Sequence, residues 1–319
     1  MKDNISLGID VSKKNFDVAL YKNNKFKHKK FTNDVKGFEL LVDWLTQNEA
    51  LSAHVCLEAT GIYGESLSEF LFDEDLSVSI VNPARIKGFA QSELLRTKTD
   101  KMDAGLIARF CAAMKPSLWT PQPLEIRQLR NLVRRLEALQ AMHQQECNRL
   151  EAASGVIEEQ LQRHIDFLQK EIRDTKKLIK QHIDNNPDLK KKKTLLESIP
   201  GIGEATINVI LSEFSHINQF KNAKALAAFI GVAPRIRQSG SSLRGRGMMS
   251  KTGRSKLRKA FFMPAMVALR YNPIIKELNI RLTENGKSKM AIIGAAMRKL
   301  VHIIYGVLKN NTPFDVKMA

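Results

Sequence analysis

The pattern of apolar and polar positions in the first ninety residues predicts a mixed α/β domain. Short apolar runs with period-two alternation indicate strands, and apolar residues spaced three and four apart indicate helices. In the segment 35–47, for example, Phe38, Leu41, Trp44 and Leu45 fall on one side of a helix. The predicted elements are, in order, two strands within 5–21, a strand over 25–33, a helix over 35–47, a strand over 53–61, a helix over 65–75, a strand over 76–83 and a further helix.

The pattern changes to a heptad-like repeat between about Leu124 and His182, which predicts two long helices. The apolar residues that repeat at this spacing are Leu129, Leu132, Leu136, Leu139, Leu161, Ile165, Leu168, Ile172 and Ile179. Such seams form either between two helices of one chain or in a coiled coil that dimerises the chain, and the sequence leaves both open. We therefore predict three domains, over residues 1–120, 121–190 and 191–319, with a coiled-coil connector in the middle.

The stretch "LLESIPGIGEATINVILSEF" predicts a helix-hairpin-helix at the start of a mainly α C-terminal domain. Gly201 and Gly203 form its turn, where glycine allows the backbone to approach a phosphate that the amides of the next helix then bind. An ordinary turn between two packed helices is the alternative.

The net charge of +18 predicts a polyanionic partner, and nucleic acid is the commonest one. No apolar run reaches the roughly 20 residues that cross a bilayer, and the N-terminus lacks the apolar core of a secretory signal. Three cysteines without metal-ligand spacing fit a reducing compartment. We therefore expect a cytoplasmic protein without a membrane partner.

The positive charge is concentrated between Glu213 and Glu277, where the chain has many lysines and arginines and no acidic residue. Mixed signs are normal on a solvated surface, so a one-signed run indicates an anionic partner. Serines and glycines over 239–253 predict a flexible basic loop, and a basic helix follows. The predicted nucleic-acid-binding residues are Lys98, Lys101, Gly201, Gly203, Arg235, Arg237, Arg244, Arg246, Lys251, Arg254, Lys256 and Arg258.

Four carboxylates form the candidate chemistry of the first domain. Asp10 and Glu58 end predicted strands, and Asp100 and Asp103 lie three apart on a predicted helix. Like charges at that spacing repel each other unless a cation lies between them. Oxygen ligands without histidine suit Mg²⁺, and two such ions about 4 Å apart stabilise a phosphodiester displacement. The order of strands and helices is that of a ribonuclease-H-like (resolvase-like) domain, which can hold such a site.

The whole set of motifs resembles the insertion-sequence transposases of the IS-one-ten family. The motifs that carry the resemblance are "GIDVSKKNFDVALY", "CLEATGIY", "VNPARIKGFAQS" with "TKTDKMDA", "IPGIGEATINVIL", and "FIGVAPRIRQSGS" followed by "SKTGRSKLRKAF". They cover nearly the whole chain, and their order is more specific than any one of them.

The resemblance implies a resolvase-like domain with a DEDD tetrad, a coiled-coil connector and a C-terminal domain with a nucleophilic serine. The tetrad falls on the four carboxylates above, and the serine that follows a Pro-Arg falls on Ser239, with Ser241 and Ser242 as alternatives. It further implies a noncoding bridge RNA that pairs with donor and target DNA. Strand exchange implies a dimer or tetramer, and the family implies a bacterial protein that works beside nucleoid DNA. The rival functions are a metal-dependent junction resolvase or nuclease that uses the tetrad alone, and a non-catalytic nucleic-acid-binding scaffold.

Overall fold

The computed structural model describes residues 5–59, 61–93, 100–214, 216–235, 238–239, 243–244, 248–250 and 252–316; within these, it describes no side chain at 62, 100–102, 238–239 or 243–244. Its contacts divide the chain into two compact units, Met1–Gln122 and Pro123–Ala319.

The first unit is a mixed α/β fold. Its elements are β1 (Ser6–Val11), β2 (Asn15–Lys22), β3 (Lys25–Thr32), α1 (Val35–Gln47), β4 (His54–Glu58), α2 (Glu65–Asp73), β5 (Ser77–Val81), α3 (Pro83–Ser92) and α4 (Asp100–Met114). This order agrees with the predicted alternation of strands and helices, so the mixed α/β class of this region is confirmed.

The five strands form one sheet in the order β3-β2-β1-β4-β5. β1, β4 and β5 run parallel to one another, whereas β1, β2 and β3 form an antiparallel meander. Parallel neighbours require crossover connections, and α1 and α2 supply them. α1 begins at Val35 because the Asp34 side chain accepts a hydrogen bond of 2.8 Å from the Gly37 amide, which caps the first turn.

The two faces of the sheet have different coverings. Leu7, Ile9, Val55 and Leu57 share an apolar core with α1 and α2. Side chains alternate along a strand, so the residues between these point to the opposite face. That face packs against α4, where Cys56 of β4 shares a second apolar cluster with helix residues.

The second unit is mostly helical. Its helices are α5 (Leu124–Leu150), α6 (Val156–Asp184), α7 (Pro187–Glu197), α8 (Glu204–Phe214), α9 (Ala223–Ile230), α10 (Ser255–Tyr271), α11 (Pro273–Glu284) and α12 (Lys289–Asn310). The mostly helical character predicted for the C-terminal region is therefore confirmed.

The helices α5 and α6 pack against each other as an antiparallel hairpin within the chain. At its base His182 Nε2 donates to the Glu125 carbonyl at 2.7 Å, and nearer the tip the His164 ring lies 3.6 Å from the Glu146 carboxylate. The heptad seams are thus used inside one chain. The first half of α5, including Ile126 and Leu129, also belongs to the core formed with α7 to α12.

By length and composition α12 is apolar enough to cross a bilayer, but half of its apolar window is buried in the unit. Ala296, Leu300, Val301 and Ile304 are completely buried in the helical core. Burial of this kind is what an internal helix of a folded domain shows.

Short strands occupy part of the region predicted as a flexible basic loop. β6 (Pro234–Arg235) pairs with β9 (Met248–Met249), and β7 (Gln238–Ser239) pairs with β8 (Leu243–Arg244), both antiparallel. One hairpin is nested inside the other. Two-residue strands have too few positions to produce an alternating pattern, so the sequence indicated only a loop. The basic helix predicted after it is α10.

Candidate active site

Two of the predicted carboxylates lie on neighbouring parallel strands. β1 and β4 pair in the register Ile9 opposite Leu57, and Asp10 and Glu58 are the next residue on each strand. Both side chains are half-buried. Because parallel strands end at the same edge of a sheet, these two carboxylates belong to one edge.

Both carboxylates point to the face that α4 covers. On β1 the Ser6 hydroxyl donates to the Ala108 carbonyl of α4 at 2.9 Å, and Asp10 has the same parity along the strand. On β4 the parity of Glu58 is that of Cys56, which packs against α4. The sheet and the helix therefore enclose the acidic edge from two sides.

The close approach of α4 depends on small residues. A Cβ atom on Gly8 would lie 2.1 Å from the Ala104 carbonyl oxygen and 2.3 Å from the Ala108 amide nitrogen. Ala104 and Ala108 are completely buried against Ala19 of β2. The helix backbone thus rests directly on β1 at the residue two before Asp10.

This contact brings Asp103 to the acidic edge. Asp103 immediately precedes Ala104, whose carbonyl touches Gly8, and its side chain is half-buried. Asp100 is the first residue of α4, so both aspartates share the first helical turn, as predicted. The side chains of Asp100 and Lys101, and the whole of Lys98, lie outside the described residues. Two of the four predicted carboxylates, Asp10 and Glu58, therefore point to one face of the sheet, and Asp103 lies in the first turn of the helix that covers this face.

The donor set has the chemistry of a divalent-cation site. Carboxylate oxygens are the ligands that hard cations prefer. Among the described side chains, which do not include that of Asp100, no three His, Cys, Asp or Glu residues are grouped closely enough to hold a metal. Asp10, Glu58 and Asp103 therefore fit a divalent cation in ligand type, but their described side chains are not grouped around one ion position.

The thiols under α4 contribute packing rather than charge. Cys56 and Cys111 are buried and unbridged. A hydrogen bond with Cys56, together with burial, raises the pKa of the Cys111 thiol, and burial lowers the pKa of His54. Both shifts favour neutral side chains.

One carboxylate of this face was missed by the sequence analysis. Asp17 of β2 lies directly opposite Asp10, and Lys30 of β3 lies directly opposite Asp17. The Lys30 ammonium is 3.2 Å from the Asp17 carboxylate. Residues opposite each other in an antiparallel pair point to the same face, so the row Asp10, Asp17, Lys30 crosses the sheet. The predicted turn at Ser12 to Asn15 is the signal that would have revealed it, because a hairpin centred there places residue 17 opposite residue 10.

The predicted nucleophile lies in the second unit, on the inner hairpin. Ser239 pairs with Leu243, and the outer strand pair closes the stem below them. The side chain of Ser239 is not described, and Ser241 and Ser242 lie outside the described residues. At the base, the Ser250 amide donates to the Ala233 carbonyl at 2.9 Å and the Arg254 amide donates to the Phe229 carbonyl at 3.2 Å.

A glycine pair holds this stem against the end of α9. Gly253 has a φ of +147°, and a Cβ there would lie 2.7 Å from both the Gly231 nitrogen and the Phe229 carbonyl oxygen. Gly231 ends α9 in the left-handed conformation with a φ of +86°. The two ends of the hairpin segment are therefore fixed by backbone-to-backbone contact.

Replacing Gly253 with alanine is expected to lower the free energy of unfolding of the second unit by about 2 kcal/mol, because the new methyl group would overlap backbone atoms of Gly231 and Phe229. Thermal unfolding measures the effect. Gly306→Ala is the matched control, since Gly306 lies in α12 with open space around its Cβ position. Equal stability of the two variants would contradict the close packing of the stem.

Several predicted nucleic-acid-binding residues have partners within the protein. Arg254 forms an ion pair with Glu213 and lies over the Phe229 ring, 4.8 Å from its centre. Lys256 lies 3.5 Å from the Glu137 carboxylate but is 82% exposed. Arg258 is half-buried, with its guanidinium next to Gly231. Arg235 is exposed, Arg244 is described only by its backbone, and Arg237, Arg246 and Lys251 lie outside the described residues.

The turn between α7 and α8, which the sequence predicted as part of a helix-hairpin-helix, requires one of its two glycines for packing. Gly201 has a φ of +100°, and a Cβ there would lie 2.8 Å from the Cβ of Ala268 on α10. Gly203 has open space around its Cβ position and directly precedes α8. Packing accounts for Gly201, whereas Gly203 leaves the N-terminus of α8 open to an approaching anion.

Comparisons with known proteins agree with these two regions. A DEDD-type family model described as "Transposase" matches residues 7–153, and the model of the "Transposase IS116/IS110/IS902 family" matches residues 193–279. The first range contains the four predicted carboxylates, and the second contains Ser239.

Curated relatives extend the similarity over nearly the whole chain. The chain is 36% identical over 316 residues to the pilin gene-inverting proteins of Moraxella bovis and Moraxella lacunata, with 98% of each chain covered. It is also 26% identical over 124 residues, which is 39% of this chain and 30% of the relative, to an uncharacterized 43.6 kDa protein of insertion element IS110 from Streptomyces coelicolor.

Proposed function

Because the chain belongs to the IS110 family of transposases, we propose that it cuts and rejoins DNA through a phosphoserine intermediate. The nucleophile in this proposal is the hydroxyl of Ser239. Asp10, Glu58, Asp100 and Asp103 hold Mg²⁺, with two ions as the working number, and a noncoding bridge RNA selects the DNA.

The observation that supports a catalytic role of the first unit is that Asp10 and Glu58 point to the sheet face covered by α4, the helix whose first turn contains Asp103. The DEDD-type family model indicates dependence on a divalent metal ion, and an all-oxygen donor set favours Mg²⁺. When bound, such an ion stabilises charge on the phosphate oxygens during displacement. In this proposal the acidic residues hold the metal ion beside the phosphate, within a domain whose order of strands and helices is ribonuclease-H-like.

The serine supplies the covalent step. Its oxygen attacks the phosphorus of the DNA backbone, the bond to one deoxyribose oxygen breaks, and the hydroxyl proton leaves the serine while the departing oxygen gains a proton. A deoxyribose hydroxyl of the recombining strand then attacks the phosphoserine and releases the enzyme. In this proposal arginine guanidinium groups near the hairpin stabilise the bound DNA phosphate, because each guanidinium group can bind two phosphate oxygens at once.

Two further parts of the proposal rest on family resemblance and on stoichiometry. The bridge RNA is a property that the family resemblance implies, and the net charge of +18 is compatible with a second polyanion. Exchange of two duplexes requires several strand cuts, so we propose a homo-oligomer, a dimer or a tetramer.

A second outcome of the same chemistry, inversion of a DNA segment, is favoured by one comparison. The relatives that match over 98% of both chains are named gene-inverting proteins, whereas the insertion-element relative matches over 39% of this chain. A plasmid whose recombination sites flank a segment in inverted orientation distinguishes inversion from excision and insertion by the size of restriction fragments.

The proposed function is tested by a denaturing gel of the protein with labelled element-end DNA, the RNA and Mg²⁺. We expect a covalent protein–DNA adduct with the wild type, and a loss of at least about a hundredfold in Asp10→Asn because the metal ligand is neutralised. The control is Asp43→Asn on the exposed side of α1, which should leave the adduct unchanged.

The rival functions give different gels. Metal-dependent cutting that yields free ends and no adduct would mean that the tetrad acts alone, as in a junction resolvase or nuclease. Binding without cutting by the wild type would mean a non-catalytic scaffold.

A further inference from the structure

The edge strand β3 exposes six consecutive residues, Lys25–Lys30, to solvent. Its neighbour in the sheet is β2. Exposed edges present unpaired backbone groups, and natural proteins often protect them with lysines. Protection explains the lysines, but it does not explain why aromatic rings are exposed among them.

Three rings lie side by side on the face of the sheet that carries α4. The centres of Tyr21 and Phe26 are 4.8 Å apart, and those of Phe26 and His28 are 5.7 Å apart with planes inclined by 26°. The Phe26 and His28 rings lean on α4 at Gly105, where a Cβ would lie 3.8 and 3.7 Å from them. They are nonetheless accessible, since Phe26 is 38% exposed and His28 is also exposed to solvent.

One cation of β3 shares the face of these rings. By strand alternation Lys30 points to that face, where it pairs with Asp17, whereas Lys25, Lys27 and Lys29 point to the opposite face of the same edge strand. There the Lys27 ammonium donates to the Asn48 side-chain oxygen at 2.6 Å, and the Lys29 ammonium lies over the Phe31 ring. Accessible rings on the face of a sheet are an arrangement with which proteins bind single strands, because bases stack on the rings and a neighbouring cation contacts phosphate.

The position of the rings relates them to the acidic edge. The strand residue after His28 on the same face is Lys30, which ends the row that begins at Asp10 and passes through Asp17. A strand lying on the rings would therefore lie alongside the acidic face of the same sheet, with Lys30 and Asp17 between.

We propose that Tyr21, Phe26 and His28, with Lys30 beside them on the same face, form a binding platform for single-stranded nucleic acid. One or two bases stack on Phe26 and His28, and an adjacent phosphate contacts the Lys30 ammonium group. The inference rests on the proposed function only for the class of partner. The same stacking chemistry serves RNA and unpaired DNA, so the experiment compares the two.

Photo-crosslinking of the full-length protein in EDTA tests the platform without requiring DNA cutting. The probes are short RNA and DNA oligonucleotides of one polypyrimidine sequence with an iodinated pyrimidine base, and mass spectrometry locates the attached peptides. We expect attachment within residues 21–30, with the preferred nucleic acid given by the stronger probe. Phe26→Leu, which keeps the apolar bulk against Gly105, should lower that attachment at least about fivefold, since one stacked base contributes a factor of this size.

The chain offers a matched control in Phe167 of the second unit, which stacks on His164 with centres 6.4 Å apart on α6. Phe167→Leu should leave attachment within residues 21–30 unchanged. Attachment confined to other segments, or an equal yield in Phe26→Leu and the wild type, would overturn the platform. If the wild type attaches at β3 but forms no covalent adduct with DNA, the platform stands and the proposed phosphoserine reaction fails.

Discussion

Replacing Gly8 with alanine is expected to lower recombination about a hundredfold and to lower the free energy of unfolding of the first unit by about 3 kcal/mol. The added methyl group would lie 2.1 Å from the Ala104 carbonyl oxygen and 2.3 Å from the Ala108 amide nitrogen. Both atoms belong to the backbone of α4, so no side-chain rotation relieves the overlap. The helix has to move by about 1 Å, and displacement of Asp103 by that distance is enough to cost a hundredfold in rate.

Thermal unfolding and the DNA adduct assay measure the two effects separately. Gly88→Ala is the control, because Gly88 lies in α3 with open space around its Cβ position. Alanine is favoured over glycine in a helix by roughly 1 kcal/mol, so this variant should unfold no more easily than the wild type. A Gly8→Ala protein with the activity and stability of the wild type would disprove the close packing of α4 on β1.

Replacing Ser239 with alanine is expected to remove the covalent adduct and to lower strand joining by at least about a thousandfold. Alanine keeps the strand pairing of β7 with β8, because that pairing uses backbone groups, and it removes the hydroxyl oxygen that would attack phosphorus. Binding of RNA and DNA should persist. The variant therefore separates chemistry from recognition.

Ser241→Ala and Ser242→Ala are the matched controls in the same segment, and both should retain the adduct. Peptide sequencing of the adduct formed by the wild type identifies the modified serine directly. Loss of the adduct in one of these two variants, with Ser239→Ala still active, would transfer the nucleophile to that serine. An adduct that persists in all three variants would exclude the serines of this hairpin.

Much of the first unit was predictable because its elements are long enough to show their period. The helix over 35–47 has the predicted bounds, since four large apolar residues recur at helical spacing and Asp34 caps the start. The hairpins between Pro234 and Met249 were not predictable in this way. Their strands have two residues each, and their pairing depends on the backbone and on glycine contacts rather than on an apolar pattern.

The residues of the proposed acidic site could be named from the sequence, but the packing of α4 over Asp10 and Glu58 could not be. Strand ends and helical spacing indicated Asp10, Glu58 and Asp103 from the sequence alone. The feature that joins them is the contact of α4 with Gly8, and a single glycine in a strand gives no information about which backbone approaches it. The heptad seams posed a similar problem, because the same spacing fits an intrachain hairpin and an intermolecular coiled coil.

The α5–α6 hairpin has consequences for how the length of the chain can vary. Its base half, from Ile126 to Leu136, is part of the core of the helical unit, whereas Leu139, Ile165 and Leu168 are buried between the two helices nearer the tip. Deleting the entire hairpin would uncover that core. Whole turns removed in equal number from both helices near the tip would keep every remaining pair in register. Insertions and deletions tolerated during divergence of this fold are therefore those that lengthen or shorten both arms together.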